Sequence, residues 1–375
     1  MKILVDASLV SKGGGVQVAL AFLENISKDP CFKAICIVNE VIDRQLDYSV
    51  KDNFYFYCVE ESVPIYKKFR QGKRISVLER RFNPELVFVV FGPAYWKPKA
   101  KTLQGFALGK MLYEKELNIG LYERVLNFIK KKIFQRSQSY LLVETELVKE
   151  KLAAHFNYSL DKIYVIGNSY SPNFKKNILD NRTQIFPIKD KFRILVPGSY
   201  YPHKNVEKII LALAEIKKNP VFQHNLEIVF TIPKESIDWI NLSILAKNNA
   251  VEEFISTTGF VENSKFAELY LASNAVICAS LVESSTAVFP EAFLAERPLL
   301  VSNRPFATEL CENAALYFDP LDEKSIAKAI LQIIIDVNLR DVLVQNGQKV
   351  LLKNYPSAEQ KWALQRNLIT HLYSQ

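Results

Sequence analysis

Short apolar runs alternate along this chain with longer stretches in which apolar positions recur every three or four residues. The runs read as buried strands and the periodic stretches as helices with one inward face. In the first half, strands are expected at residues 2–8, 34–38, 54–59, 86–91, 103–108, 140–145 and 163–167. Val16, Ala19, Leu20, Leu23 and Ile26 share one helical face after the first strand, and a second helix is expected at 146–156. Residues 176–191 are polar, with Asn177, Asp180, Asn181, Arg182 and Thr183 before Pro187, and read as a linker. The pattern then restarts, with strands expected at 193–197, 227–232, 254–257, 275–279, 298–302 and 315–318. Val206, Ile209, Ile210, Leu213 and Ile216 form a helical stripe for which Asn205 is the expected N-cap. A long helix is expected after Glu323, and an amphipathic one closes the chain at 358–373.

Strands alternating with helices predict a doubly wound α/β fold, and the restart predicts two such units. The expected domains are 1–180 and 181–355, with a last helix, 356–375, packing back on the first. A chain of 375 residues is long enough for two cores.

Composition sharpens this only in places. Hydrophobic residues make up 49% and charged ones 23%, an ordinary globular balance. The five cysteines form no C-x-x-C pair, which favours reduced core residues over zinc ligands or a disulfide framework. The opening apolar run is interrupted by Asp6, which suits a first strand and not a secretory leader. No apolar run is long enough to span a membrane. The net charge of +8 is concentrated. Residues 64–84 hold Lys67, Lys68, Arg70, Lys73, Arg74, Arg80 and Arg81 against Glu79 alone. Residues 97–136, including Lys130, Lys131 and Lys132, are equally basic and interleaved with Tyr113, Leu126, Phe128 and Ile129. Such a surface attracts lipid head groups, diphosphates or other polyanions, or is simply a solvated basic face. No nucleic-acid motif accompanies it, so nucleic acid is not an expected partner.

Candidate chemistry sits after three strands. Gly13, Gly14 and Gly15 lie between the first strand and first helix, where glycine lets backbone approach a ligand or simply turns the chain. The spacing is not G-x-G-x-x-G, which disfavours a nicotinamide site. Gly198, Ser199 and Lys204 occupy the equivalent loop of the second half. The strand at 275–279 is followed by Glu283, Ser284, Ser285, Thr286 and Ala287, then Pro290 and Glu291. Pro290 suits a first helical position, and Glu291 suits the positive end of the helix dipole. Open N–H groups at such a turn favour an anion, while the carboxylates favour hydroxyls. Glu291 capping its own helix is the plainer alternative.

The two glutamates with seven residues between them, followed by Arg297-Pro298-Leu299-Leu300-Val301-Ser302-Asn303, resemble the donor segment of retaining glycosyltransferases of family 4, which have the GT-B fold. Residues 140–146, 162–168 and 314–320 are similar to other parts of that family, and Pro202-His203-Lys204-Asn205 to its mannosyltransferase-like branch. The resemblance implies two Rossmann-like domains facing across a cleft and a nucleoside-diphosphate sugar as donor. It implies that Lys204 and the Gly198 loop hold the diphosphate, that Glu291 accepts from ribose hydroxyls, and that Glu283 serves catalysis at the transferred sugar. Gly259 and Phe260 would flank the base, though a buried hydrophobic turn is an equal reading. Ser199 stands where many members carry arginine. None of the four histidines lies midway through the first half, so Gln104 is the expected hydrogen-bonding replacement, beside the acceptor. With no D-x-D triplet, neither metal nor other cofactor is expected.

The implied activity is retaining transfer of a hexose or deoxyhexose, mannose-like by resemblance, to a saccharide or polyprenyl-diphosphate-linked acceptor in surface-polysaccharide synthesis. The place would be the cytoplasm, at the inner face of the plasma membrane, with Lys130, Lys131 and Lys132 meeting acceptor or bilayer. A nucleotide-sugar epimerase of the same fold and a carbohydrate-binding subunit without turnover are the alternatives.

Overall fold

The structure is a computed structural model and describes residues 1–11, 13–114, 117, 119–181, 191–219 and 226–375. The chain divides into two compact units, Met1–Asn168 with Ala358–Gln375, and Ser169–Ser357.

The first unit is built on a parallel sheet of β1 (Lys2–Asp6), β2 (Lys33–Asn39), β3 (Phe56–Glu60), β4 (Leu86–Val89), β5 (Lys101–Gly105), β6 (Tyr140–Val143) and β7 (Ile163–Val165). Their order is β3-β2-β1-β4-β5-β6-β7. Both faces are covered, which is why the central strands are apolar almost without interruption. Ile3 and Val5 point to one face with Cys36, Val38 and Phe88, under the helix Gly14–Lys28. Leu4, Ile35, Ile37, Val87 and Val89 point to the other, against Ile75. The helix Ala358–Ser374 belongs to the first of these faces. Its Leu368, Ile369 and Leu372 are buried there, each worth roughly 1.5–3 kcal/mol in removed apolar surface. Trp362 meets Phe22 edge-on at 5.6 Å, and Arg366 bonds Asp29 at 2.6 Å.

The second unit repeats the plan with β8 (Phe192–Val196), β9 (Leu226–Phe230), β10 (Ile255–Thr257), β11 (Ala275–Cys278), β12 (Leu299–Ser302) and β13 (Ala315–Phe318), ordered β10-β9-β8-β11-β12-β13. Every strand expected from the apolar runs is present.

Two expectations need correcting. The stretch 176–191 is not all linker, because Pro172–Asn181 is a helix. Its Phe174 and Ile178 are buried, and Phe174 meets Tyr270 edge-on at 5.3 Å. The second unit therefore begins before residue 180; residues 182–190 of the expected linker lie outside those described. Of the cysteines expected in the core, Cys36, Cys278 and Cys311 are buried, but Cys31 is exposed at a turn.

Candidate functional site

In the second unit β8 lies between β9 and β11, so the strand order reverses at β8. Loops leaving the carboxyl ends of adjacent strands splay apart at such a point and leave a crevice for ligand. The loops after β8 and β11 are those with the candidate residues. Leu281 donates its N–H to the His203 carbonyl at 2.8 Å, tying one loop to the other. Asn205 donates its side-chain amide to the carbonyls of Ala279 at 3.3 Å and Pro320 at 2.8 Å. The expected N-cap role of Asn205 is thus replaced by a cross-link between loops. Its backbone is left-handed, φ 55°, and its side chain makes no cap bond.

Gly198 has φ 106°, a conformation open mainly to glycine, and a side chain there would meet open space. The Thr231 hydroxyl clamps it, accepting from the Gly198 N–H at 2.8 Å and donating to the Gly198 carbonyl at 3.1 Å. Gly198, Ser199, Lys204, Cys278, Ser280 and Val288 all line one pocket. From that lining the Lys204 ammonium donates to Glu283 Oε1 at 2.5 Å, with the side chains 20% and 11% exposed. Ser280, fully buried, donates to the same oxygen at 2.8 Å. Burial is the largest single influence on the Lys204 pKa and depresses it, but the charge and hydrogen bond of Glu283, with Cys278 and Tyr201, together outweigh it and the net shift is upward. The loop therefore holds a cation in reach of an anionic ligand, and a carboxylate fixed by two donors.

The helix carrying Glu291 starts at Val288, two residues before the expected position, and runs to Leu294. Pro290 still falls in the first turn, where its missing N–H costs nothing. Thr286 Oγ1 accepts from the Val288 N–H at 3.3 Å, while Ser284, Ser285 and Ala287 are partly exposed. Glu291 is more than a dipole partner: Tyr270 donates its hydroxyl to Oε2 at 2.8 Å. Burial pushes the Glu291 carboxyl up to about 7, against the lowering effect of that hydrogen bond.

Gly259 has φ 74° and donates to Thr257 Oγ1 at 3.1 Å. Phe260 beside it is 80% exposed, which removes the buried-turn reading.

The first unit holds the remaining candidates. Gly13 takes φ 63°, and Gly14 and Gly15 already belong to the helix, so the triplet is a helix start and not a loose turn. Side chains at Gly13 or Gly14 would meet open space, whereas one at Gly15 would touch Phe91 and Val10. Gln104 contradicts its expected role. It is fully buried at the end of β5, with Oε1 accepting from the Ala94 N–H at 2.7 Å. Nε2 donates to the Ser137 and Ser139 hydroxyls, both at 2.9 Å. An amide committed in this way joins loops and offers nothing to a sugar.

Lys130, Lys131 and Lys132 lie on the helix Leu121–Ser137, and consecutive helical residues fan out by about 100° each. Of the three only Lys132 is exposed, while Lys130 and Lys131 are half-buried. Lys131 lies over the Phe156 ring at 5.8 Å. Burial depresses the pKa of Lys130, assisted by Lys110, and that of Lys68 in the same way, assisted by Lys130. The outer face presents Leu121, Tyr122, Val125, Phe128 and Ile129, all at least 40% exposed, beside Arg124 and Lys132.

Thr231, Ser280 and Tyr270 were not singled out in the sequence. Thr231 and Ser280 follow the apolar runs of β9 and β11, a position facing the crevice in this kind of sheet, and that is the signal they carried.

A family model described as glycosyl transferases group 1 matches residues 178–350, which includes every second-unit candidate. Residues 178–350 belong to this glycosyltransferase family. O-antigen chain mannosyltransferase RfbU of Salmonella typhimurium is 26% identical over 195 residues, 52% of this chain and 50% of that protein. O-antigen chain mannosyltransferase B of Escherichia coli is 22% identical over 218 residues, 56% of this chain and 55% of that protein. The chain thus spans about half the length of the curated relatives it matches. The structure of Anabaena HepE in complex with UDP and glucose superposes with a TM-score of 0.74 at 15% identity, covering 99% of this chain and 100% of that one. That likeness establishes the fold: two Rossmann-like units of the GT-B type. No helix among the described residues is long and apolar enough to cross a membrane.

Proposed function

We propose that this glycosyltransferase moves a hexose or deoxyhexose from a nucleoside-diphosphate sugar to a saccharide or polyprenyl-diphosphate-linked acceptor in surface-polysaccharide synthesis. The observation that carries the proposal is the Lys204–Glu283 pair beside the glycine-opened Gly198 loop. Supporting it are the family match, the O-antigen mannosyltransferase relatives, and a neighbouring fold whose structure holds UDP and glucose.

On this reading the diphosphate draws the Lys204 ammonium away from Glu283, with Gly198, Ser199 and the Ser284–Ala287 turn supplying N–H groups. Charge-assisted bonds of this kind contribute about 1.5–3 kcal/mol each. Positive charge fixed in advance where negative charge grows on the leaving diphosphate lowers the barrier without reorganisation. Glu283, released from Lys204 but still held by Ser280, meets the sugar, and Glu291 accepts from the ribose hydroxyls. Gly259 and Phe260 flank the base, and the open space at Gly13 and Gly14 admits sugar or acceptor. Transfer is with retention, as the family resemblance implies, and the absence of a D-x-D triplet supports a metal-independent route.

The outer face of the helix Leu121–Ser137 supports peripheral contact with an anionic membrane at the cytoplasmic side. An exposed apolar stripe flanked by cations suits the boundary between head groups and acyl chains.

The test is release of UDP or GDP from their hexose conjugates with and without a polyprenyl-diphosphate saccharide. Acceptor-dependent release supports the proposal. Release with every acceptor absent, epimerised sugar, or tight binding without release would contradict it.

A further inference from the structure

The Glu291 carboxylate has no hydrogen-bond partner among the described residues except Tyr270, which holds Oε2 and leaves Oε1 unbonded. Tyr270 is itself immobilised on several sides. Its side chain is fully buried, its ring meets Phe174 edge-on at 5.3 Å, and Phe266 lies 6.2 Å away. Its carbonyl accepts from Arg297 Nε at 3.0 Å, and the next carbonyl, of Leu271, accepts from Arg297 Nη2 at 3.0 Å. The guanidinium thereby closes the carbonyl end of the helix Phe266–Leu271. The hydroxyl is thus a fixed donor on a rigid ring, bonded to a carboxylate that would otherwise have several rotamers.

We propose that Tyr270 is a positioning residue, aiming the Glu291 carboxylate so that its free oxygen receives the ribose hydroxyls of the donor nucleotide. This rests on the donor-binding reading above. A carboxylate accepts and does not donate, so one oxygen can bond the tyrosine while the other takes the sugar diol. Held in place beforehand, the side chain loses little rotamer freedom when nucleotide binds. The helix Pro172–Asn181 enters through Phe174, which braces the Tyr270 ring.

The test compares calorimetric binding of UDP and GDP with that of their 2′,3′-dideoxy forms, for wild type, Tyr270→Phe and Glu291→Ala. Tyr270→Phe keeps the ring and its contacts, so folding is preserved and is checked by circular dichroism. Wild type is expected to prefer the ribose form of its nucleotide by about tenfold or more, the span of a hydrogen bond to a charged group. In both variants the preference should fall to about two- or threefold, with affinity for the dideoxy form unchanged. A merely structural tyrosine would weaken both forms alike. Full preference in Tyr270→Phe alongside its loss in Glu291→Ala overturns the inference and leaves the donor site standing. Full preference in both variants, or no binding of either nucleotide to wild type, overturns the role of Glu291 and this inference with it.

Discussion

The Lys204 ammonium lies 2.5 Å from Glu283 Oε1, so the residues proposed to grip the diphosphate and the sugar of the donor are bonded to each other. Breaking a buried pair by removing one partner strands the other charge, a cost of about 3–5 kcal/mol when both are fully enclosed. Here both side chains are partly exposed, and about 1–3 kcal/mol is expected after that discount. Lys204→Met and Glu283→Gln should each lower the denaturation midpoint, while the double variant recovers part of the loss. Turnover should fall about a hundredfold or more in all three. Denaturant titration and kcat/KM measured on the same preparations check both halves.

Glu291 ties stability to pH. Its carboxyl is raised to about 7 in the folded chain, from an ordinary value of 4.5. Below that ordinary value both states are protonated and the residue is neutral in effect. As pH rises toward 7 the unfolded chain gives up the proton first, so folding stability is lost across that window. Glu291→Gln should therefore raise the melting temperature relative to wild type at pH 8 and leave it nearly unchanged at pH 4.5. Ionised Glu291 accepts hydroxyl bonds best, so donor affinity of wild type should climb through pH 7 while stability falls. A melting-temperature gain independent of pH would remove this linkage.

Gln104 is a stability residue and should behave as one. Gln104→Leu strands the Ala94 N–H and takes the amide donor from the buried Ser139 hydroxyl, while Ser137 keeps its bond to the Phe134 carbonyl; each unsatisfied buried group costs about 1–3 kcal/mol. Thermal melting should drop by several degrees or more, while KM for donor and acceptor in the surviving folded enzyme stays within twofold of wild type. A raised acceptor KM at unchanged melting temperature would restore its place in the site.

The chain-long α/β rhythm was legible because buried parallel strands read as continuous apolar runs, and all the strands follow from it. Lys204, Glu283 and Glu291 stood out as candidates because they lie in the loop, or the helix start, that follows such a run. What could not be read was direction and partnership. Asn205 has the right residue type for a cap, yet its amide serves two neighbouring loops; Gln104 is polar near a strand end, yet wholly enclosed. The helix Pro172–Asn181 hid in a polar stretch since only Phe174 and Ile178 of its face are buried. Tyr270 was invisible because its meaning lies in one bond to a residue far along the chain.

Membrane contact should depend on the apolar stripe as well as on charge. Each exposed lysine near an anionic surface is worth about 1 kcal/mol, and that share is screened by salt. Co-sedimentation with phosphatidylglycerol vesicles should weaken between 50 and 500 mM salt for wild type. Lys130→Ala/Lys131→Ala/Lys132→Ala should lose less than three full lysines' worth, since Lys130 and Lys131 are half-buried and only Lys132 is exposed. Leu121→Ser/Phe128→Ser should abolish the binding that survives high salt. No vesicle binding by wild type would show the basic face to be merely solvated.

Calorimetric titration of UDP and GDP into wild type and Lys204→Met tests the donor site most directly. Wild type should bind one of the two, and Lys204→Met should bind that nucleotide at least about tenfold more weakly. Equal affinity in the two proteins would contradict a diphosphate held at Lys204.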